Sequence, residues 1–368
     1  MKKIILLLPV FLMIVNAYSQ KKFTNIINID NTSVKNQQRT GTCWSFATAS
    51  FLESEVLRLK NKRVDLSEMF GVRNIYEDKA RNYFLRQGKT NFSEGGLSHD
   101  FIRAMAYNGV VPQSVYPGNP KGELVFNHSE LAKILTAYVE AAVKSGLHTD
   151  YWFDGFKAVL NVYMGKKPLK FEFDGKSFTP KSFAKYLELD PKNYIELTSF
   201  NHHPYYKYFV LEIPDNYSSG MYYNIDLKEL KEQTDYALKN GYSVSWDGDV
   251  SEPGFGRKTG VIELVPYLNM IFDSENPDYE TITKLRQSQF EKLKTTDDHL
   301  MHIVGKAKDE YGKLYYIVKN SWGNAGEYDG YYYMSEPYFL MKTISIMIHK
   351  DALMENVKPV FYLPDAIY

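Results

Sequence analysis

Cys43 is the only cysteine in this chain of 368 residues, and it stands where a helix is expected to begin. Thr42 is a suitable N-cap, and apolar residues follow at the three- and four-residue steps of an amphipathic helix: Phe46, Ala49, Leu52, Val56 and Leu59. A helix N-terminus stabilises a thiolate, which is the nucleophilic form of cysteine. A lone cysteine is also commonly a buried structural residue, so this stretch by itself leaves both roles open.

A cysteine nucleophile needs a base, and that base needs a group to orient it. His299 and His302 lie ahead of one predicted strand pair, and Asn320 follows it. Residues that flank a hairpin are neighbours, so Asn320 is placed to orient an imidazole, with Trp322 as an apolar cover. The two histidines are three positions apart and would face opposite sides of a strand, so only one of them suits this role.

Taken together, these stretches resemble the papain superfamily of cysteine peptidases, and specifically its bleomycin hydrolase and bacterial aminopeptidase C branch. The resemblance covers residues 36–118 and 241–350. Besides the segment around Cys43, it is carried by four short motifs in the expected order: Leu66-Ser67-Glu68, Gly95-Gly96, Tyr116-Pro117 and Asn320-Ser321-Trp322-Gly323.

The resemblance implies a complete site. It assigns Cys43 as nucleophile, His299 as base and acid, Asn320 as orienter, Gln37 as oxyanion donor, and Gly95 and Gly96 as ligands of the substrate backbone. Alignment on Gly305 selects His299 rather than His302. A side-chain amide such as that of Gln37 is chemically suited to an oxyanion, because it supplies a preorganised N–H donor.

The chain departs from the papain pattern in two ways. Thr40 and Ser93 stand where papain-type enzymes carry a disulfide-bonded pair, an absence that fits the bleomycin hydrolase branch. His299 follows Cys43 by 256 residues, against roughly 130–150 in papain-like enzymes. The excess matches residues 121–240, which we interpret as an insertion beside the cleft.

The fold expected is α+β and papain-like, with two lobes and the active site in the cleft between them. Residues 20–120 would form the helical lobe and residues 241–350 an antiparallel, β-barrel-like lobe, with the insertion at 121–240. The tail, residues 351–368, is too apolar to stay in water, so it should cover the back of the helical lobe or enter the cleft. Trp246 and Asp247 are weaker candidates for lining the cleft, and core packing is favoured for Trp246.

Local patterns predict further elements. Helices are expected from Ser67 to about Leu85 and over residues 97–107, 131–146 and 227–240. Strands are expected over residues 242–247, 314–319, 330–334 and 343–349, with a hairpin turn at Tyr311-Gly312. The pair Gly95-Gly96 predicts a tight turn, for which glycine allows positive φ.

Residues 1–19 have the two lysines, apolar run and small residues of a secretory signal, which predicts a secreted or periplasmic protein. Without them, 42 basic residues face 44 acidic ones, a balance that argues against nucleic-acid binding. No other stretch suits a membrane span. His202 and His203 are adjacent, but no acid or cysteine at ligand spacing joins them, so no metal is expected.

The function expected is that of a cysteine peptidase acting through a thioester acyl-enzyme, with peptide substrates and no metal or organic cofactor. An aminopeptidase is favoured. A papain-like endopeptidase is the alternative, and a catalytically inactive peptide-binding homologue is a third interpretation. The sequence leaves homo-oligomerisation open.

Overall fold

The chain folds around two apolar cores, one among helices and one along a large sheet. A computed structural model describes residues 20–122, 125–146, 149–269, 272 and 277–360. The predicted signal segment and residues 361–368 lie outside the described residues. The helices are α1 Cys43–Lys60, α2 Glu68–Leu85, α3 Ser98–Asn108, α4 Ser129–Lys144, α5 Tyr151–Met164, α6 Pro180–Tyr186, α7 Leu227–Lys239, α8 Pro266–Asn269, α9 Tyr279–Glu291 and α10 Glu336–Lys342.

The strands fall into one large sheet and one small hairpin. They are β1 Phe23–Asn28, β2 Phe171–Phe173, β3 Lys176–Phe178, β4 Tyr194–Thr198, β5 Lys207–Val210, β6 Met221–Asn224, β7 Val244–Gly248, β8 Phe255–Gly256, β9 Val261–Ile262, β10 His299–Asp309, β11 Leu314–Lys319, β12 Tyr331–Ser335 and β13 Thr343–His349. β2 pairs only with β3. The expected α+β architecture is confirmed.

The large sheet runs in the order β5-β6-β4-β13-β7-β10-β11-β12-β9-β8, with β1 paired to β10. Within the described ranges this path is open and does not close into a barrel. Most neighbours are antiparallel, as expected, but β4 with β6 and β12 with β9 are parallel. The long strand β10 therefore holds the middle of the sheet, flanked by β7, β11 and β1.

Helix α1 is buried on all sides rather than along one stripe. Each residue from Cys43 to Val56 is buried, because α2 and α3 pack on one side and β7 and β10 on the other. The amphipathic expectation is therefore wrong, and Leu59, assigned to the apolar face, is 36% exposed. Thr42 occupies the N-cap position, but its hydroxyl pairs with that of Thr40 at 2.6 Å and caps nothing.

The next two helices follow the sequence closely. Ser67 caps α2 by accepting a hydrogen bond from the Phe70 amide at 3.1 Å, and α3 ends at Gly109 with φ of 79°. Gly95 and Gly96 do not use the positive φ that glycine allows. A Cβ on Gly96 would lie 2.9 Å from the Trp44 indole. Closeness of neighbouring groups, not backbone conformation, therefore explains the glycine at position 96.

The predicted insertion, residues 121–240, contributes to both cores. Helices α4, α5 and α6 pack against α2 and α3, while β4, β5 and β6 extend the large sheet beyond β13. Sequence patterns identified α4 and α7 in this region, but α5, α6 and the three sheet strands were not predicted. Short strands and an aromatic-rich helix carry weak periodicity, so only packing against the rest of the chain defines them.

The described part of the tail packs on the sheet lobe, not on the helical lobe as expected. Gln233 on α7 donates to the Ala352 carbonyl at 2.6 Å and accepts from the Met354 amide at 2.8 Å. Leu353 and Val357 join the core beside the sheet. Among the described residues, none of the helices combines the length and apolar character needed to cross a bilayer.

A buried charge network joins α1 to its surroundings below the predicted nucleophile. Glu53 is fully buried, accepts from Lys35 Nζ at 2.9 Å and from the Leu66 amide at 2.8 Å, and contacts the Thr32 hydroxyl. Lys35 also bonds Glu68 at 2.5 Å. An unpaired charge inside a protein is costly, so both partners depend on this pairing.

We predict that Glu53→Ala lowers the free energy of unfolding by about 3–5 kcal/mol, because it leaves a largely buried ammonium short of a partner. Chemical denaturation measures the loss. The matched control is Glu140→Ala, since Glu140 forms an exposed pair with Lys144 on α4 at 3.4 Å. That change should cost less than about 0.5 kcal/mol. Equal losses for the two variants would contradict a structural role for the network.

Candidate active site

Three of the predicted site residues meet where α1 reaches the start of β10. Cys43 is the first residue of α1, His299 is the first of β10, and Asn320 directly follows β11. His299 Nε2 lies 2.8 Å from Asn320 Oδ1. The backbone amide of Leu300, the residue after His299, lies close enough to the Cys43 sulfur to lower the pKa of the thiol. The thiol and the imidazole therefore occupy adjoining positions, as the spacing in sequence suggested.

The hydrogen bonds of Asn320 settle which histidine nitrogen carries the proton. Asn320 Oδ1 also accepts from the Ser321 backbone amide at 2.7 Å. Because that amide is always a donor, the atom facing His299 Nε2 is an oxygen, and Nε2 carries the hydrogen. The lone pair on Nδ1 is left to act as the base toward a thiol.

Trp322 covers this bond, as predicted. Its ring centroid lies 4.7 Å from that of His299, and the Arg257 guanidinium lies 4.9 Å from the Trp322 ring. The indole excludes water from the His299–Asn320 bond, which strengthens it. His299 is only 4% exposed.

Gln37 is buried and held in a fixed orientation by the residue after Asn320. Ser321 Oγ donates to Gln37 Oε1 at 2.6 Å, and the backbone N–H of Gln37 donates to the Ser321 carbonyl at 2.8 Å. Gln37 Nε2 donates one of its two hydrogens to the Thr40 carbonyl at 2.7 Å. The second hydrogen is available to an oxyanion.

Burial sets the resting charges of the reactive pair. Burial raises the pKa of Cys43 to about 12, the nearby carboxylates Asp297, Asp215 and Asp247 add to this, and the Leu300 amide opposes it. Burial lowers the pKa of His299 to about 4, against the effect of its bond to Asn320. The helix N-terminus was expected to favour a thiolate, and desolvation acts in the opposite direction, toward a neutral thiol beside a neutral imidazole.

The predicted substrate ligands Gly95 and Gly96 lie beside a loop from the insertion. Gly96 is buried, while Gly95 is partly exposed and its carbonyl accepts from Lys79 Nζ. A Cβ on Gly95 would overlap the carboxylate of Asp215, in the loop between β5 and β6. Ser93, at one of the positions where papain-type enzymes have a cysteine, lies 3.3 Å from the same carboxylate.

His302 takes no part in this arrangement. It is fully buried, and its Nδ1 lies 2.9 Å from Ser50 Oγ on α1. Lys319 Nζ donates to the same hydroxyl at 2.8 Å, so the hydroxyl hydrogen points to His302. Burial and the charge of Lys319 keep the pKa of His302 well below its usual value. The two histidines face different surroundings, as their spacing predicted.

His202 and His203 do meet a carboxylate, contrary to the expectation from spacing. Glu212 lies 3.1 Å from His202 Nε2 and 2.7 Å from His203 Nε2, because the β5 strand returns it to the histidines. Gln287 Nε2 donates to His202 Nδ1 at 2.9 Å, which places the His202 hydrogen on Nε2. In this tautomer the nitrogen facing Glu212 is a donor, which suits hydrogen bonding rather than metal ligation.

Sequence reasoning missed three groups at this site. Ser321 was quoted within a motif but given no role, and the Leu300 amide has no side-chain signal to reveal it. Asp215 lies in the insertion, 120 positions from Gly95. The position of Ser321 next to the predicted orienter Asn320 could have suggested a role for its side chain. No feature of the sequence pointed to Asp215.

Comparison with known proteins identifies the family of this chain. The peptidase C1-like family model matches residues 159–366, and the papain family cysteine protease model matches residues 25–146. Aminopeptidase G of Lactobacillus delbrueckii subsp. lactis is 25% identical, over 91% of this chain and 84% of that protein. The mitochondrial cysteine proteinase 1 of Saccharomyces cerevisiae (strain YJM789) is 26% identical, over 92% of this chain and 79% of that protein.

A solved structure shares the fold. The crystal structure of PepW from Lactobacillus rhamnosis superposes with a TM-score of 0.73 at 20% identity, covering 91% of this chain and 83% of that one. At this identity the likeness bears on the fold alone. It agrees with the papain-like architecture expected from the sequence.

We predict that His299→Ala lowers kcat by about 10²–10⁴-fold, because it removes the base placed toward the thiol. His302→Ala should instead lower the free energy of unfolding by about 1–3 kcal/mol, since it leaves the Ser50 hydroxyl without its acceptor. Steady-state kinetics and chemical denaturation on both variants give the comparison. A larger kinetic loss for His302→Ala would show that the alignment on Gly305 chose the wrong histidine.

A further prediction concerns the residues that orient the reactive groups without reacting themselves. Asn320→Ala should lower kcat by up to about 10²-fold, because thiol and imidazole remain and only their alignment suffers. Ser321→Ala should weaken the hold on Gln37 and lower kcat without changing the rate at which iodoacetamide alkylates Cys43. A loss for Asn320→Ala as large as that for His299→Ala would indicate collapse of the Trp322 region instead.

Proposed function

This chain belongs to the peptidase C1-like family and is a cysteine peptidase, and we propose that it removes residues from the amino end of peptides. Its relatives include proteins named aminopeptidase G, C and E in lactobacilli. The observation that carries the proposal is the loop of residues 211–220, which places the Asp215 carboxylate against Gly95, one of the two glycines expected to bind the substrate backbone.

The mechanism we propose begins with attack by the Cys43 sulfur on the scissile carbonyl carbon. His299 Nδ1 takes the thiol proton as the carbon–sulfur bond forms, and Asn320 supports the resulting imidazolium. The carbonyl oxygen becomes an oxyanion, held by the free hydrogen of Gln37 Nε2 and the Cys43 amide. His299 then protonates the leaving amine, which departs and leaves a thioester.

Water completes the cycle. His299 Nδ1 takes a proton from water as the oxygen attacks the thioester carbonyl, and the same oxyanion donors act again. The thiolate leaves, takes the proton back from His299, and the amino acid is released. Because burial favours the neutral forms of the thiol and the imidazole, we propose that proton transfer between them accompanies the attack.

The loop of residues 211–220 is held firmly enough to act as a fixed wall. Tyr217 donates its hydroxyl hydrogen to Asp78 on α2 at 2.8 Å, and Asn82 on the same helix donates to the Tyr217 carbonyl at 2.9 Å. The Asn216 side chain also bonds the Leu211 and Gly220 carbonyls at 3.0 Å. A wall against Gly95 favours short or terminal substrates over an endopeptidase's continuous groove.

The inactive-homologue alternative has little support in this geometry. A base with a defined tautomer, its orienting amide and an oriented oxyanion donor are linked by hydrogen bonds through Asn320 and Ser321. The Cys43 thiol lies next to Leu300, the residue after that base. A binding protein would have no need to keep this set aligned.

We predict that Cys43→Ala lowers peptide hydrolysis by about 10⁶-fold, the scale found when a catalytic nucleophile is removed. The thermal unfolding temperature should change little, because the substitution removes one atom at the cleft. Mass spectrometry after iodoacetamide treatment should find one added group on the wild type and none on the variant. Undiminished hydrolysis by Cys43→Ala would falsify the mechanism.

A further prediction concerns which end of a peptide the enzyme cleaves. A peptide of about ten residues should lose residues one at a time from its amino end, and its N-acetylated copy should stay intact. Mass spectrometry of the products at successive times distinguishes the two modes. Internal cleavage of the acetylated peptide would indicate a papain-like endopeptidase.

We also propose that the protein is exported and that residues 1–19 are removed on the way. The support is the pattern of two lysines, an apolar run and small residues in that segment. N-terminal sequencing of the protein recovered from its own cells, with separate assay of the cytoplasm and the exported fraction, tests this. A retained Met1 or a purely cytoplasmic location would refute it.

A further inference from the structure

Three carboxylates from separate elements gather on one side of the Cys43 thiol. Asp215 lies in the loop between β5 and β6, Asp247 lies in β7, and Asp297 lies two residues before β10. All three are close enough for their charge to raise the pKa of the thiol. We propose that this acidic pocket binds the α-ammonium group of the substrate's first residue.

Asp215 places a carboxylate oxygen directly against Gly95. Its Oδ1 accepts from Asn91 Nδ2 at 3.0 Å and lies 3.3 Å from Ser93 Oγ. Those bonds turn Oδ2 toward Gly95, where a Cβ would overlap it. The loop that blocks a longer peptide therefore presents a negative charge at the blocked end.

Asp247 and Asp297 form a buried pair of carboxyl groups in contact. Asp247 is 2% exposed, and its carboxyl group hydrogen-bonds that of Asp297. Neither Asp247 Oδ1 nor Asp297 Oδ2 has a hydrogen-bond donor in the described part of the chain. Two carboxylates in contact repel each other unless a proton or a cation lies between them. Burial accordingly raises the pKa of Asp297 to about 7.

The cations nearby are already engaged. Lys79 Nζ donates to the Ser93 carbonyl at 3.2 Å and to that of Gly95. His99 Nδ1 lies 2.6 Å from Glu196, whose charge raises the His99 pKa to about 9. Neither makes a hydrogen bond to the three carboxylates among the described residues. These cations therefore do not pair directly with the three carboxyl groups, and a substrate ammonium would take the place of the proton between Asp247 and Asp297.

The position of the pocket suits an α-ammonium. Asp247 is paired across the sheet with Leu300, whose backbone amide lies close enough to the Cys43 sulfur to lower the pKa of the thiol. In a substrate's first residue, the α-nitrogen is two bonds from the carbonyl carbon that the sulfur attacks. An ammonium group also offers three N–H donors, which matches three carboxylates.

This inference rests on the proposed aminopeptidase function and says which groups recognise the amine. It differs from recognition of a basic side chain on the preceding residue, which the same charges would also attract. Free-amine and acetylated substrates distinguish the two kinds of recognition. Recognition of the α-ammonium requires a first residue with a free amine, whereas recognition of a basic side chain does not.

The test uses the full chain and three substitutions that keep side-chain size: Asp215→Asn, Asp247→Asn and Asp297→Asn. Substrates are leucyl-, acetyl-leucyl- and acetyl-arginyl-leucyl-aminomethylcoumarin. We expect KM for the leucyl substrate to rise by about 10²-fold for Asp247→Asn or Asp297→Asn, the scale for removing one partner of a buried charge pair. The change in kcat should be much smaller, so preference for the free amine over the acetylated form collapses.

Glu172→Gln is the matched control, because Glu172 is an exposed carboxylate on β2, which pairs with β3 and lies outside the large sheet that carries Asp247. It should leave every parameter unchanged. Alkylation of Cys43 by iodoacetamide, an uncharged reagent, checks that each Asp variant keeps an intact site. The result is then independent of whether a variant folds less well, since only alkylatable protein is counted.

Two outcomes would overturn the inference. If the leucyl substrate is preferred over its acetylated form and the Asp variants keep that preference, the amine is recognised elsewhere while the aminopeptidase function stands. If acetyl-arginyl-leucyl-aminomethylcoumarin is the best substrate and loses most in the variants, the pocket binds a basic side chain. Absence of hydrolysis of every substrate by the wild type would instead count against the proposed function itself.

Discussion

The contact between the N-terminus of α1 and the start of β10 is the constraint on which this protein depends. It places the Cys43 sulfur against the Leu300 amide, and therefore beside His299. From Cys43 to Val56 helix α1 is buried between α2 and α3 on one side and β7 and β10 on the other, and it cannot shift without disturbing both sides, because protein interiors are close-packed. The packing of α1 against β10 therefore sets the position of the Cys43 thiol relative to the His299 imidazole.

Burial at this contact has chemical consequences. Desolvation favours the protonated thiol, so the site depends on a base whose tautomer is fixed. Asn320 fixes it, and Ser321 continues the same hydrogen-bonded path to Gln37. The base, its orienter and the oxyanion donor thus belong to one connected network, and the motif around Asn320 therefore serves more than a single function.

The insertion turns a general peptidase cleft into a restricted one. Strands β5 and β6 extend the sheet, and the loop that joins them is tied to α2 by Tyr217. That anchoring sets the Asp215 carboxylate over Gly95.

The sequence by itself predicted the site residues: it placed a lone cysteine at a helix start and two histidines and an asparagine around a hairpin, and the resemblance to the papain superfamily chose His299 over His302. It also determined α2, α3, β11 and β13, whose caps and alternation are strong local signals. Only the tertiary structure decided that α1 is buried all round, that the described tail packs on the sheet, and that Asp215 and Glu212 reach their partners. Those outcomes depend on contacts between distant segments, and periodicity and spacing describe only neighbours along the chain.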